Sequence, residues 1–264
     1  RQAAEAAGAE IRAGLGAHRR VVHQKYNAHD LVTATDLRCE EVIRAHVRAA
    51  FGAAHRFIGE ESAEEGPGAG QLTAHPTWIV DPLDGTANFV HGLPQVTVSI
   101  GLAVGGAPVL GVVYHPPSGE MFTAVKSRGA FLNDQPIHVS GCAGVAAAAI
   151  ATELAYDRTE AGIACMLRRL GNTLGAGVQA PRILGSTALG LAYVAAGRLD
   201  AFYFGPPCGP KAWDVTAGRV LVEEAGGRVT RLDGGAHDLF GEEVVATAGG
   251  ALHEELVACV KPED

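Results

Sequence analysis

The stretch His75-Pro76-Thr77-Trp78-Ile79-Val80-Asp81-Pro82-Leu83-Asp84-Gly85-Thr86-Ala87-Asn88-Phe89 decides the fold. Trp78, Ile79 and Val80 make a short apolar run of β-formers that ends at Asp81, where Pro82 removes a backbone donor and forbids further pairing. Asp84 follows as a second carboxylate. Gly85 supplies a backbone conformation that only glycine takes easily, and the Thr86 hydroxyl suits a helix N-cap. The expected unit is a strand, an acidic turn and a helix start.

Two carboxylates about 4 Å apart repel by roughly 4 kcal/mol at an effective dielectric near 20. A cation between them relieves this, and a hard divalent ion with oxygen ligands fits best: Asp81 and Asp84 for charge, the Leu83 carbonyl and the Thr86 hydroxyl as neutral ligands. The N–H groups of Gly85, Thr86 and Ala87 would then point at a bound phosphate. An isolated Asp-Gly pair is more simply read as a plain turn.

Working toward the N-terminus, residues 57–62 form a short apolar step ending in Glu60 and Glu61, a pair that by itself reads as solvated. Residues 64–70 hold no core-forming side chain and are expected to form a mobile surface loop able to cover its surroundings. Residues 1–26 carry apolar positions at helical spacing despite Gly8, Gly14 and Gly16. A second helix is expected over 37–54, capped by Thr35 or Asp36.

Toward the C-terminus, residues 95–104, 108–115, 119–125, 129–133 and 136–139 read as short antiparallel strands. The pattern restarts after Cys142, with a strand over 146–152, a helix over 160–170, a helix over 188–197 and a strand over 199–204. Gly185-Ser186-Thr187 could bring backbone close to a ligand, though a helix N-cap explains it as well. Asp214 reads as the N-cap of a helix that stops at Gly226-Gly227, before a strand over 228–231. Strands of this spacing between flanking helices make a layered α/β or α+β unit rather than a bundle.

The chain has 264 residues, 47% of them hydrophobic, with 35 glycines, ordinary values for a packed α/β protein. A net charge of −8 argues against nucleic acid or an anionic membrane surface as partner. The five cysteines are scattered, with no C-x-x-C pair, which favours a reducing compartment and no structural zinc. No apolar run reaches the roughly 18 residues that span a bilayer. The expected location is the cytoplasm, or an organelle if a transit peptide was removed upstream of Arg1, where the sequence starts without a methionine. The signatures of P-loop NTPases, serine hydrolases and zincins are absent.

Three motifs taken together are more specific than any one. Gly59-Glu60-Glu61, then residues 81–89, then Trp213-Asp214-Val215-Thr216-Ala217-Gly218 with Glu224-Ala225-Gly226-Gly227, occur in an order and spacing that resemble the inositol monophosphatase family of Mg²⁺-dependent, lithium-sensitive phosphatases. The resemblance runs from about residue 30 to residue 246.

It implies a layered α-β-α-β-α sandwich with an N-terminal antiparallel-sheet half (1–141) and a C-terminal α/β half (142–264), the active site lying between them. It implies two or three Mg²⁺ ions, one surrounded by Glu60, Asp81, the Leu83 carbonyl and Thr86, and another by Asp81, Asp84 and Asp214. Glu60 and Thr86 would help deprotonate the attacking water, and Asp36 would orient Thr86. Asp84, Gly85, Thr86, Ala87, Gly185, Ser186, Thr187 and Asp214 would face the substrate, and Lys25 would sit near the phosphate.

The expected substrate is a small phosphate ester such as inositol monophosphate. L-galactose 1-phosphate, histidinol phosphate or, more distantly, a non-enzymatic regulatory role are the alternatives. Relatives are commonly homodimers, and the same is expected here. One departure stands out: the animal inositol enzymes place an acidic sugar contact shortly before the Trp-Asp motif, whereas residues 204–212 contain no acid and the segment is longer.

Overall fold

The computed structural model describes residues 1–15, 22–24, 31–62 and 72–262, the side chains of 22–24 excepted. The chain opens with helix α1 (Gln2–Leu15), followed by the short antiparallel pair β1 (Val22–Gln24) and β2 (Leu31–Thr33) and helix α2 (Ala34–Phe51). The helix expected over 1–26 therefore does not extend to residues 22–24, which form β1. Thr33, not Thr35 or Asp36, caps α2: its side chain accepts from Thr35 N–H, while Asp36 at the third helical position accepts from Thr33 N–H at 2.9 Å. This is a capping box with Asp in the acidic position.

Seven strands then build one sheet: β3 (Arg56–Gly59), β4 (Thr77–Asp84), β5 (Thr97–Val104), β6 (Ala107–His115), β7 (Glu120–Val125), β8 (Ala130–Leu132) and β9 (Gln135–Ile137), neighbours in that order. Only β3 and β4 run parallel; the rest are antiparallel, as the run of short strands implied. Helix α3 (Thr86–His91) leaves the end of β4. The second sheet orders β11 (Ala180–Arg182), β10 (Ala149–Thr152), β12 (Ala201–Phe204), β14 (Val244–Thr247) and β13 (Arg228–Thr230). Helices α4 (Glu160–Gly175), α5 (Thr187–Ala195), α6 (Ala212–Glu224) and α7 (Gly250–Val260) complete the described chain.

Side-chain alternation along the strands produces the layers. In β6, Val112 and Tyr114 pack with α1 and α2 through Ala4, Ile11 and Ile43, whereas Val113 between them packs with Leu191 and Val220 of α5 and α6. In β12, Phe202 faces that same α5–α6 layer, and Ala201 and Tyr203 face the opposite side, where α7 buries Leu252 and Leu256. The result is the expected α-β-α-β-α order, with α5 and α6 sandwiched between the two sheets.

Candidate metal centre

The carboxylates reach one place through the sheet. Residues three apart in a regular strand point to opposite faces, but the pairing of β4 with β5 shifts register between Asp81 and Asp84. Pro82 lies within this irregularity, so the strand continues to Asp84 rather than stopping at Asp81 as the proline suggested. Ile79, two residues before Asp81, packs against Ala212 and Trp213, which fixes the face of β4 turned to the start of α6. Asp81 is paired with Ser99 of β5, whose hydroxyl donates to the Trp213 carbonyl at 2.8 Å. Asp214 follows directly.

Carboxylate oxygens of Asp81, Asp84 and Asp214 lie within 4.8 Å of one another. Asp81 and Asp84 are almost wholly buried. Burial first, then Glu60, Asp84 and Asp214, drives Asp81 well above the ordinary carboxylate range. Burial, then Asp84 and Glu60, pushes Asp214 up to about 8. Asp84 is raised by burial, opposed by hydrogen bonds from Ser186 and Ala188.

Each side chain is held by its own element. The Glu60 N–H donates to Val80 O at 3.0 Å, which registers Glu60 beside β4. Asp214 stands at the third position of α6, not at its cap; Lys211 is the capping residue and its N–H donates to Asp214 Oδ2 at 2.7 Å. The Leu83 N–H donates to Asp81 Oδ1 at 2.9 Å. Asp84 Oδ2 accepts from Ser186 Oγ at 2.6 Å, Ala188 N–H at 2.7 Å and Thr97 Oγ1 at 3.4 Å. Asp84 thus lies against the N-terminus of α5, where helix amides favour a negative charge.

Gly85, with φ of 95°, is the cap of α3, and Thr86 is the first helical residue rather than the cap. A Cβ at Gly85 would come within 2.7 Å of the Gln95 carbonyl. The Thr86 hydroxyl lies 3.0 Å from Asp36 Oδ1 and 3.2 Å from the Leu83 carbonyl, so the Asp36–Thr86 link is present. Burial raises the Asp36 carboxyl, and hydrogen bonds from Thr33 and Thr86 oppose that. Gly85, Thr86 and Ala87 are half-buried. Lys25 and residues 64–70 lie outside the described residues.

The turn Gly185-Ser186-Thr187 arrives beside the same corner, with Ser186 as the N-cap of α5. Its polar groups are already engaged. Glu153 accepts from Leu184 N–H at 3.2 Å and Gly185 N–H at 2.9 Å, and the Asn88 amide donates to the Leu184 carbonyl at 2.8 Å and to that of Gly185 at 3.2 Å. Burial pushes Glu153 up to about 7. Asn88, Thr97, Thr33 and Glu153 brace the site and escape sequence reasoning. Only Thr33, three residues before Asp36, leaves a local signal.

The chain matches the family model described as the inositol monophosphatase family over residues 1–263. It is 45% identical over 249 residues to inositol monophosphatase 2 of Solanum lycopersicum, covering 93% of this chain and 91% of that protein. It is 42% identical over 248 residues to inositol monophosphatase 2 of Homo sapiens, covering 94% and 84%. Among solved structures, it is similar to the extragenic suppressor protein suhB from Bartonella henselae, with a TM-score of 0.88 at 34% identity over 100% of this chain and 97% of that one. It is likewise similar to the inositol monophosphatase from Anabaena (Nostoc) sp. PCC 7120, with a TM-score of 0.82 at 35% identity over 98% and 92%. By its match to the family model over nearly its whole length and its identity to these relatives, the chain belongs to the inositol monophosphatase family.

Proposed function

We propose that the chain is a Mg²⁺-dependent phosphomonoesterase that hydrolyses inositol monophosphate or a closely related sugar phosphate. The observation that carries this is the convergence of Asp81, Asp84 and Asp214 within 4.8 Å, with Glu60 near enough for its charge to raise Asp81, in a chain of this family. Among the described residues this is the cluster that fits a metal ion: an all-oxygen donor set, buried, too negative to stand ionised alone. Glu60, Asp81, the Leu83 carbonyl and Thr86 would hold one Mg²⁺, and Asp81, Asp84 and Asp214 a second. When bound, the ions supply positive charge that offsets the carboxylates, polarises the phosphoryl group and acidifies a water.

The chain's own groups do the rest. Thr86 Oγ donates its proton to Asp36, so its lone pairs face outward to orient the attacking water. Glu60 accepts that water's proton as oxygen attacks phosphorus in line, and the bond to the ester oxygen breaks. The leading amides of α3, at Gly85, Thr86 and Ala87, have no partner within the helix and hold the equatorial oxygens. Gly185, Ser186, Thr187 and Asp214 line the alcohol side. Lys25 is kept as a phosphate contact on the strength of the resemblance alone.

This reading treats 1–141 and 142–264 as two halves flanking the site. Its support is that the strands of the seven-stranded sheet come from 56–137 and those of the five-stranded sheet from 149–247. A homodimer is proposed by likeness to relatives, testable by sedimentation equilibrium. A reducing, cytoplasm-like compartment suits five free cysteines. No helix of the described residues is long and apolar enough to cross a membrane.

The test is phosphate release from myo-inositol 1-phosphate, L-galactose 1-phosphate and histidinol phosphate at fixed Mg²⁺. The reading expects the highest kcat/KM on the inositol ester and inhibition by lithium. Background release on all three at saturating Mg²⁺ would reject it.

A further inference from the structure

Glu40 has no part in the mechanism, yet it is a buried carboxylate, 5% exposed, one step behind the proposed metal ligands. It projects from α2 toward the end of β3. Its Oε2 accepts from the Glu61 N–H at 2.8 Å. Arg44, one turn further along α2, donates to Oε1 at 3.0 Å, hydrogen-bonds Ser62, and lays its guanidinium 4.4 Å from the centre of the Phe57 ring. Gly59 makes the approach possible, since a Cβ there would lie 2.2 Å from Glu40 Oε2.

Two successive amides are pinned in this way, Glu60 to Val80 of β4 and Glu61 to Glu40 of α2. The two peptide planes that flank the Glu60 Cα are each pinned, and with them the direction in which the Glu60 side chain leaves the backbone. A carboxylate acceptor paired with a guanidinium makes the stronger kind of hydrogen bond, and Arg44 holds Glu40 in place.

We propose that Glu40, clamped by Arg44, is a positioning residue that sets the Glu60 carboxylate for Mg²⁺. The proposal rests on Glu60 being a metal ligand. Loss of the clamp leaves Glu60 present but misdirected, so the effect belongs to the affinity for Mg²⁺ and not to the recognition of the ester.

The experiment compares the full-length protein with Glu40→Leu, Glu40→Gln, Gly59→Ala and Glu60→Gln. Calorimetric Mg²⁺ titration is read alongside substrate KM at saturating Mg²⁺. Glu40→Leu and Gly59→Ala, which attack the same contact from opposite sides, are expected to weaken Mg²⁺ binding by about 10- to 100-fold, the range typical of a lost outer-shell partner. KM for the ester should stay within about twofold.

Glu40→Gln keeps an acceptor for the Glu61 N–H and should recover most of the affinity. Thr173→Val, which removes a buried hydroxyl of α4 far from the clamp, should lower stability without moving Mg²⁺ affinity. Wild-type Mg²⁺ binding by Glu40→Leu and Gly59→Ala, beside a defective Glu60→Gln, overturns the proposal. Wild-type binding by Glu60→Gln overturns instead the reading of Glu60 as a ligand.

Discussion

Asp84 joins the first sheet to α5 through one oxygen: Oδ2 takes a hydroxyl and an amide from the start of α5 and a longer contact from Thr97, and Oδ1 takes none of these bonds. Asp84→Asn keeps the shape and can leave its oxygen on Ser186 and Ala188, but it removes the charge and puts an amide donor where Oδ1 stood. Turnover should fall by more than the roughly 10- to 100-fold typical of losing an outer-shell partner, with the far-UV spectrum unchanged. Near-normal activity would remove Asp84 from the metal site. Asp214 makes a pH-dependent prediction. Its folded-state pKa, about 8, lies above the ordinary carboxylate value, so the stability that goes with its protonated form is present in acid and is lost as pH rises toward 8. In chelator, Asp214→Asn should therefore gain stability relative to the parent between about pH 5 and about pH 8. Saturating Mg²⁺ should reverse the order. A melting-temperature difference independent of pH would refute this.

The elements that carry these side chains are held by close backbone approach. Helix α6 lies on β5 and β6 where Gly101 and Gly111 leave room. A Cβ at Gly111 would sit 2.3 Å from the Ala217 carbonyl, and one at Gly101 would sit 2.3 Å from the Thr216 side chain. Gly111→Ala forces the helix outward and carries Asp214 with it. Overpacking of this kind costs about 1–3 kcal/mol, so the melting temperature should drop by roughly 2–4 °C for each kcal/mol, together with weaker Mg²⁺ binding. A variant that loses stability but binds Mg²⁺ normally would show that α6 yields elsewhere. The same dependence explains what the sequence could reveal. Asp81, Asp84 and Thr86 are contiguous, and their turn is readable from residue type alone. The register shift that brings Asp81 and Asp84 to one face is not, because Pro82 signals a strand end as readily as a bulge. Asp214 and Asp36 look like N-caps because an acid opens a helix at any position of its first turn; only the structure places both at the third residue. Asn88 and Glu153 leave no side-chain pattern to find because their partners are backbone groups 7 to 97 residues away, and the Glu40–Arg44 spacing reads as an ordinary helix-surface ion pair that gives no hint of the distant Glu61 amide.

At the scale of the whole molecule, the acidic corner draws on segments more than 150 residues apart, so ion binding and the packing of α6 against β4 and β5 are one equilibrium. The resemblance made that convergence legible from three motifs; the braces that maintain it are legible only in three dimensions. In the proposed mechanism Mg²⁺ binds the folded chain and not the unfolded one. At one hundred times its Kd each site then adds about 2.7 kcal/mol, or about 5–10 °C for a chain of this size. Hydrogen exchange locates that gain. The Lys211 amide donates to Asp214 and the Ala188 amide to Asp84, whereas the Gly249 amide donates to Thr247 Oγ1, with no link to the acidic corner. Adding Mg²⁺ should slow exchange at Lys211 and Ala188, from the helices beyond the first sheet, and leave Gly249 unchanged. Calcium, larger and less strict in its geometry, should protect the same two amides while supporting less turnover. If Mg²⁺ slowed exchange only near residues 81–87, the ion would be held by the β4 turn alone, and the role assigned to Asp214 would fall.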